Sequence, residues 1–94
     1  MSDYKFDGKY LRDHRGNKIG EADGDKIRDT HNSRVGEIDG KYIRDTSNRK
    51  IAEFDGEYVR DPSNRKLASI NEIRKIIDGP GGITLVALWI FFVR

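Results

Sequence analysis

The sequence predicts an all-β fold with a small α-helical addition, and three observations lead to that prediction. A unit of 16 residues recurs 4 times without an insertion, starting at residues 6, 22, 38 and 54. Each unit holds two turn signals, separated by short runs in which apolar and polar residues alternate. After residue 69 the apolar spacing becomes helical, and an uncharged segment follows. We therefore expect one domain over residues 1–94, with four hairpins over 4–70 forming an antiparallel meander closed about a pseudo-four-fold axis.

The first turn signal is Asp-Gly, which opens every unit at residues 7–8, 23–24, 39–40 and 55–56. A two-residue type I′ loop needs positive φ at both central positions, and glycine adopts positive φ without strain. With Asp39 and Gly40 as the loop, Ile38 pairs with Lys41. The signal therefore predicts one hairpin in each unit.

The second turn signal is Asp-x-x-Gly or Asp-x-x-Asn, seen as DHRG, DTHN, DTSN and DPSN. Aspartate suits the first position of a type I turn, and Pro62 suits the second. The fourth position then takes the left-handed conformation found in hairpins closed by a bulge. The residues predicted at that position are Gly16, Asn32, Asn48 and Asn64.

Alternation along the strands sorts the side chains onto two faces of the sheet. One face carries large apolar residues such as Ile38 and Ile43 beside positions that are always small. The small positions are Gly20, Gly36, Ala52 and Ala68. We assign this face to the interior, where only Gly or Ala leaves room for a neighbour. The other face mixes Val35 and Tyr42 with charged residues and is expected to be half exposed.

These units resemble the four-fold β-flower proteins, a family of small bacterial proteins in which hairpins surround a pseudo-four-fold axis. The matching features are the Asp-Gly-x-Tyr-Ile/Val/Leu-Arg-Asp segment and the return strand Asn-x-Lys-Ile-Gly/Ala-Glu. The resemblance implies a shape and assigns no catalytic residue. The second copy departs from the pattern at Asp25 and Lys26, and the fourth departs from it at Ser69.

The repeats are followed by a short amphipathic helix, predicted over residues 70–78. Ser69 and Glu72 form a capping box at its start, and isoleucines follow at helical spacing. Gly79 and then Pro80 end it.

The C-terminal segment 83–93 contains 11 residues without a charge. As a helix it would be about 16 Å long, whereas a bilayer's hydrocarbon core is about 30 Å thick. The segment is therefore expected to be buried in its own domain, against a sister subunit, or partly in a membrane interface. Its β-branched and aromatic residues favour a strand, while its leucines and alanine favour a helix. The candidate interface residues are Leu85, Leu88, Trp89, Phe91 and Phe92.

Composition argues against several classes of site. The chain has 18 Lys and Arg against 16 Asp and Glu, with the signs interleaved, and no cysteine. Interleaved charge indicates a mixed solvated surface, so no nucleic-acid partner is expected unless Arg49, Lys50, Arg65 and Lys66 form a single stripe. No catalytic residue, metal ligand or cofactor motif is identified. Each turn aspartate is interpreted as a turn residue, and no apolar run near the N-terminus resembles a secretory signal, so cytoplasmic residence is expected.

Two sets of recurring side chains could bind a ligand. Tyrosine rings could stack on a sugar, and guanidinium groups could hold an anion. These candidates are Tyr10, Tyr42, Tyr58, Arg12, Arg28, Arg44 and Arg60. The alternative for the arginines is a ladder of ion pairs with Glu21, Glu37 and Glu53.

The function expected from the sequence is that of a non-catalytic structural or protein-interaction module. Its apolar C-terminal segment would complete the core or an oligomer interface, so a protein partner or self-association is expected. The alternatives are a carbohydrate- or anion-binding module that uses the Tyr and Arg positions, and a protein that contacts a membrane through residues 83–93.

Overall fold

Ten strands form one sheet in the computed structural model, which describes residues 3–94. The first nine pair in chain order as antiparallel neighbours: β1 Tyr4–Phe6, β2 Tyr10–Asp13, β3 Lys18–Asp23, β4 Lys26–Arg28, β5 Arg34–Asp39, β6 Tyr42–Asp45, β7 Lys50–Phe54, β8 Tyr58–Arg60 and β9 Lys66–Ser69. One helix lies between the ninth and tenth strands, and two helical segments follow the tenth. The prediction of a mostly β, antiparallel fold with a small helical addition is confirmed.

Helix α1, Ile70–Ile76, follows β9 directly. The predicted capping box is confirmed: the Ser69 hydroxyl accepts a hydrogen bond from the Glu72 amide at 3.2 Å, and the Glu72 carboxylate accepts one from the Ser69 amide at 3.2 Å. The helix ends two residues before the predicted boundary at 78, because Ile77–Asp78 form strand β10. This strand pairs in parallel with β1, with Ile77 opposite Tyr4.

The sheet is strongly curved. Ten strands about 4.8 Å apart would span about 43 Å if the sheet were flat, yet the longest dimension of the protein is 35 Å. Helix α1, about 10 Å long by its 1.5 Å rise, connects β9 at one edge to β10 at the other, so the two edges lie near each other. They do not pair, so the sheet is not closed, whereas the repeat predicts a closed one.

The Asp-x-x-Gly/Asn turns form as predicted. In the third of them the Asn48 amide donates to the Asp45 carbonyl at 3.0 Å, and the Asp45 amide donates to the Arg49 carbonyl at 3.0 Å. The fourth turn position is left-handed in all cases, with φ of 85° at Gly16, 65° at Asn32, 64° at Asn48 and 68° at Asn64. Asparagine tolerates this conformation better than most side chains, which explains its recurrence.

The predicted register of the Asp-Gly hairpins is wrong. Ile38 pairs with Ile43 and not with Lys41, and Asp39 pairs with Tyr42. The loop is therefore Gly40-Lys41, with positive φ only at the glycine, which is the position that a type II′ turn gives to glycine. The error moves the partner strand by two residues, so it leaves the assignment of side chains to faces unchanged.

The prediction that Val35 lies on the outer face is also wrong, because Val35 lies in a β-bulge. Gly36 is opposite Ile27, whereas Arg34 is opposite Arg28, so Val35 is an extra residue in its strand. Its side chain packs against the core. Equivalent register shifts follow Leu11, Ile43 and Val59.

The C-terminal segment is helical and fills the concave face of the sheet. It consists of α2, Ile83–Leu88, and a π-helical segment, Trp89–Val93. Leu85, Val86, Ala87 and Leu88 are all 0% exposed. The predicted interior face is confirmed, since Leu11, Ile27, Ile43 and Val59 are also fully buried.

The small residues of the interior face make room for this segment. A Cβ atom added to Gly36 would collide with the Phe91 ring, and one added to Gly20 would lie 2.5 Å from Cε2 of Phe92. Gly20 and Gly36 are therefore small because the chain's own C-terminal segment packs against them.

Candidate functional site

The sheet has two ends, which we call the loop end, with the Asp-Gly loops, and the turn end, with the Asp-x-x-Gly/Asn turns. The C-terminal segment crosses the concave face from the first to the second. At its start, Thr84 lines a depression together with Gly8 of the first Asp-Gly loop. Further along, Phe91 packs on Gly36. In the strand register Gly36 is opposite Asp45, the first residue of the third turn.

The last part of the segment gives the turn end a partly exposed apolar centre. Residues Trp89–Val93 are all half-buried and all apolar. The guanidinium carbon of Arg94 lies 5.9 Å from the centre of the Trp89 ring. Of the candidate interface residues, Leu85 and Leu88 are buried in the core and offer no surface, whereas Trp89, Phe91 and Phe92 remain partly accessible.

The two ends of the sheet carry opposite charge. Seven exposed cations lie in or beside the turns: Arg15, Lys18, Arg34, Arg49, Lys50, Arg65 and Lys66. The Asp-Gly loops contain two exposed lysines, Lys9 and Lys41, and six acids: Asp7, Asp23, Asp25, Asp39, Asp55 and Glu57. This polarity was not predicted from the sequence. Its signal is the position of charge within each unit: acids lie at the Asp-Gly loop, and exposed bases follow the turn aspartate by two to five residues.

The aspartates that begin the turns are hydrogen-bonded into them, as predicted. The Asp29 carboxylate accepts from the Ser33 and His31 amides, both at 2.9 Å, and Asp13 accepts from the Asn17 and Arg15 amides at the same distances. These amide donors, Ser33 and Asn17 first, lower the pKa of Asp29 and of Asp13. The carboxylates therefore stabilise the turns as anions.

Three of the four recurring arginines connect the turn end to the loop end, whereas Arg12, among residues 3–94, hydrogen-bonds only to the Gly16 carbonyl, at 3.2 Å. Nη1 of Arg44 donates to the Asn48 carbonyl at 3.2 Å, and Nε donates to Asp39 at 3.0 Å. The same contacts recur at Arg28, with Asn32 at 3.3 Å and Asp23 at 3.6 Å, and at Arg60, with Asn64 at 3.5 Å and Asp55 at 3.6 Å. The expected ion-pair ladder with glutamates is wrong in its partners: Glu37 is opposite Arg44 in register, but the acid that binds the guanidinium is Asp39.

The recurring tyrosines lie beneath lysine side chains of the next strand. Nζ of Lys50 is 4.4 Å from the centre of the Tyr42 ring. Lys18 over Tyr10 and Lys66 over Tyr58 are each at 4.2 Å. Such contacts contribute about 0.5–1 kcal/mol each at exposed sites. A sugar could stack on these rings only after displacing the lysine.

Two polar depressions of about 150 and 190 Å³ lie at equivalent places two units apart. The first is lined by Lys50, Glu53 and Asn64, and the second by Lys18, Glu21 and Asn32. Pockets for organic ligands usually enclose about 300–1,000 Å³ and are mostly apolar, so neither depression has the properties of such a site.

Comparison of the chain with protein-family models, with curated proteins and with solved structures finds no match. Among residues 3–94, no helix is both long enough and apolar enough to cross a bilayer. Within the same residues, no group of three or more His, Cys, Asp or Glu side chains is arranged to hold a metal ion.

Proposed function

We propose that this protein is a non-catalytic interaction module that folds around its own C-terminal segment and makes contact through the turn end. The observation that carries the proposal is the division of that segment. Residues Leu85, Val86, Ala87 and Leu88 are 0% exposed and complete the core, whereas Trp89–Val93 reach the surface half-buried. An apolar surface of this kind, bordered by polar residues, marks interaction sites.

The recurring polar side chains support a structural role for the outer face. Asp13 and Asp29 are hydrogen-bonded into turns, Arg44 bridges Asp39 and Asn48, and the tyrosine rings are covered by lysines. A general acid or base must instead be free to reach a substrate proton. The outer face therefore has the properties of a scaffold.

The four-fold arrangement and the relationship to β-flower proteins are part of the proposal. They are supported by the turns after β2, β4, β6 and β8, whose amide-to-carbonyl hydrogen bonds span 2.9 to 3.1 Å at successive intervals of 16 residues. In that arrangement α1 would take the place of the contact that closes the ring.

The test of the proposed module uses light scattering together with acrylamide quenching of Trp89, the only tryptophan of the chain. We expect the mass of a single chain in detergent-free buffer, with Trp89 fluorescence quenched more strongly than in a buried site. A dimer in which acrylamide does not reach Trp89 would overturn the proposal, because the surface would then be internal to the assembly.

A second candidate function, anion binding, is favoured by one feature of the first hairpin unit. Lys5, Arg12 and Lys18 are consecutive in register across three strands, where later units have an acid in the first place. Lys9, Arg12 and Lys18 also surround the Tyr10 ring at 5.3, 5.7 and 4.2 Å. Within residues 3–94 none of these cations forms an ion pair. A guanidinium between two ammonium groups suits a phosphate or carboxylate.

The candidate anion site is tested with inorganic phosphate, by NMR titration of the Arg12 Hε resonance. Lys5→Glu installs the acid found at the equivalent position two repeats later, Glu37, and should abolish the shift. The reciprocal variant Glu37→Lys, combined with Asp39→Asn to remove the acid that binds Arg44, should make Arg44 a second responsive arginine. An unchanged titration in Lys5→Glu would rule out the site.

A further inference from the structure

We propose that the turn end docks onto an anionic lipid bilayer, with Trp89–Val93 entering the interfacial layer and the turn cations contacting the headgroups. The inference rests on the proposed function, because it names the partner of the same surface. Two independent properties carry it: the chemistry of the apolar centre and the sign of the charge around it.

The apolar centre suits lipid better than an ordered ligand. Its five residues, WIFFV, combine three aromatic rings with Ile90 and Val93, and all are half-buried. Tryptophan is enriched at the bilayer interface, where its amphipathic ring has an apolar and a hydrated side, and phenylalanine occurs on the apolar face of helices that bind there. Residues 85–88 anchor the segment in the core, so residues 89–93 do not need to fold when they contact a membrane.

The charge around this centre is complementary to anionic lipid. Each turn contains a single acid, and that aspartate is hydrogen-bonded to turn amides at about 2.9 Å. The seven exposed cations therefore outnumber the four turn aspartates at this end, while acids outnumber Lys9 and Lys41 at the opposite end. The resulting polarity would orient the protein with its turn end toward a negative surface.

The same cations include four residues that would have to form a single stripe to bind a nucleic acid: Arg49, Lys50, Arg65 and Lys66. Arg49 and Arg65 follow the last two turns, and Lys50 and Lys66 begin β7 and β9, so all four lie at the turn end. A nucleic acid would use aromatic rings as stacking platforms but would gain nothing from the aliphatic residues Ile90 and Val93. The bilayer is therefore the partner that uses the whole surface.

The experiment follows Trp89 emission while the full-length protein is mixed with vesicles. Vesicles of phosphatidylcholine are compared with vesicles that also contain phosphatidylglycerol, and brominated acyl chains report the depth of the ring. We expect a blue shift and bromine quenching on the anionic vesicles only. Equal binding to both vesicle types, or none to either, would overturn the inference.

Paired charge variants test the orientation. Arg49→Gln with Arg65→Gln removes two cations at the turn end, and Lys26→Gln with Lys41→Gln removes two at the loop end. Each cation near an anionic surface contributes about 1 kcal/mol, so the first pair should weaken vesicle binding about 30-fold. The control pair should weaken it less than about 3-fold, since its charges lie farther than a Debye length of about 8 Å from the bilayer. Similar losses in the two pairs would overturn the proposed orientation.

A duplex DNA probe distinguishes a nucleic-acid partner from a bilayer. Tight, salt-sensitive binding to DNA with no emission shift on vesicles would overturn the bilayer inference and leave the interaction module intact. If the inference fails while the protein remains monomeric with an accessible Trp89, only the identity of the partner is wrong. If Trp89 is shielded in a dimer, the proposed function itself fails.

Discussion

Replacing Gly36 by alanine tests whether the C-terminal segment lies against the sheet. In an open strand this change should stabilise the protein by about 0.5–1 kcal/mol, because alanine loses less conformational entropy on folding than glycine. In the structure the added Cβ atom would collide with the Phe91 ring and lie 2.8 Å from the Arg44 carbonyl oxygen. Overpacking of a core costs about 1–3 kcal/mol, so we expect a net loss of about 1–2 kcal/mol.

The assay is urea unfolding of a double-mutant cycle that pairs Gly36→Ala with Phe91→Leu. Leucine removes the far edge of the ring, so Gly36→Ala should cost about 1 kcal/mol less in that background than in the wild type. The rescue is expected to be partial because the contact with the Arg44 carbonyl remains. A stabilising Gly36→Ala, or the same cost in both backgrounds, would refute the placement of Phe91 on Gly36.

Three further predictions address the core and the turns. Leu88→Ala should lower the free energy of unfolding, measured in urea, by about 2–5 kcal/mol, because Leu88 is fully buried. The control Lys75→Ala, on the exposed side of α1, should change it by less than about 0.5 kcal/mol. Asn48→Ala should lower the free energy of unfolding by about 1–2 kcal/mol more than Asn48→Gly, because φ at Asn48 is 64°. Ser47→Ala is the control, and equal losses in the two Asn48 variants would contradict the left-handed assignment. The lowered pKa of Asp29 means that its contribution to stability is fully present above about pH 4 and is lost as the pH falls through the folded-state pKa. Unfolding measured between about pH 2 and pH 6 should therefore depend less on pH in Asp29→Asn, and an unchanged pH dependence would count against the turn hydrogen bonds.

The turns could be predicted from the sequence because their requirements are local. A left-handed fourth position favours Gly or Asn whatever surrounds it, and Gly16 and Asn48 adopt the predicted conformation. The Asp-Gly loops were harder, because Asp39-Gly40 and Gly40-Lys41 each satisfy one kind of two-residue loop. The arginine partners depend on that choice: only the observed register brings Asp39 to Arg44.

The bulges and the C-terminal helix could not be read from local patterns. Val35 fits strict alternation, and only the pairing of Arg28 with Arg34 shows that it is an extra residue. Residues 83–93 have conflicting propensities, and their conformation follows from the space that the curved sheet leaves beside Gly20 and Gly36. Tertiary packing therefore decides both features.

The candidate site was predictable in its residues but not in its arrangement. The tyrosines and arginines occur on the outer face as expected, yet their contacts with lysine and aspartate depend on cross-strand register. The apolar residues Trp89, Phe91 and Phe92 were identified from their run alone. Their position among the turn cations follows only from the direction in which the segment crosses the sheet.

The most direct test of the account is an NMR measurement of NOEs from the ring protons of Phe91 and Phe92 to the Hα protons of Gly36 and Gly20. The account predicts strong NOEs within one chain, with the glycine Hα resonances shifted by the ring currents. An isotope-filtered experiment on mixed labelled and unlabelled protein distinguishes the contacts of a sister subunit. Absent NOEs, or NOEs seen only between chains, would contradict the claim that the protein folds around its own C-terminal segment.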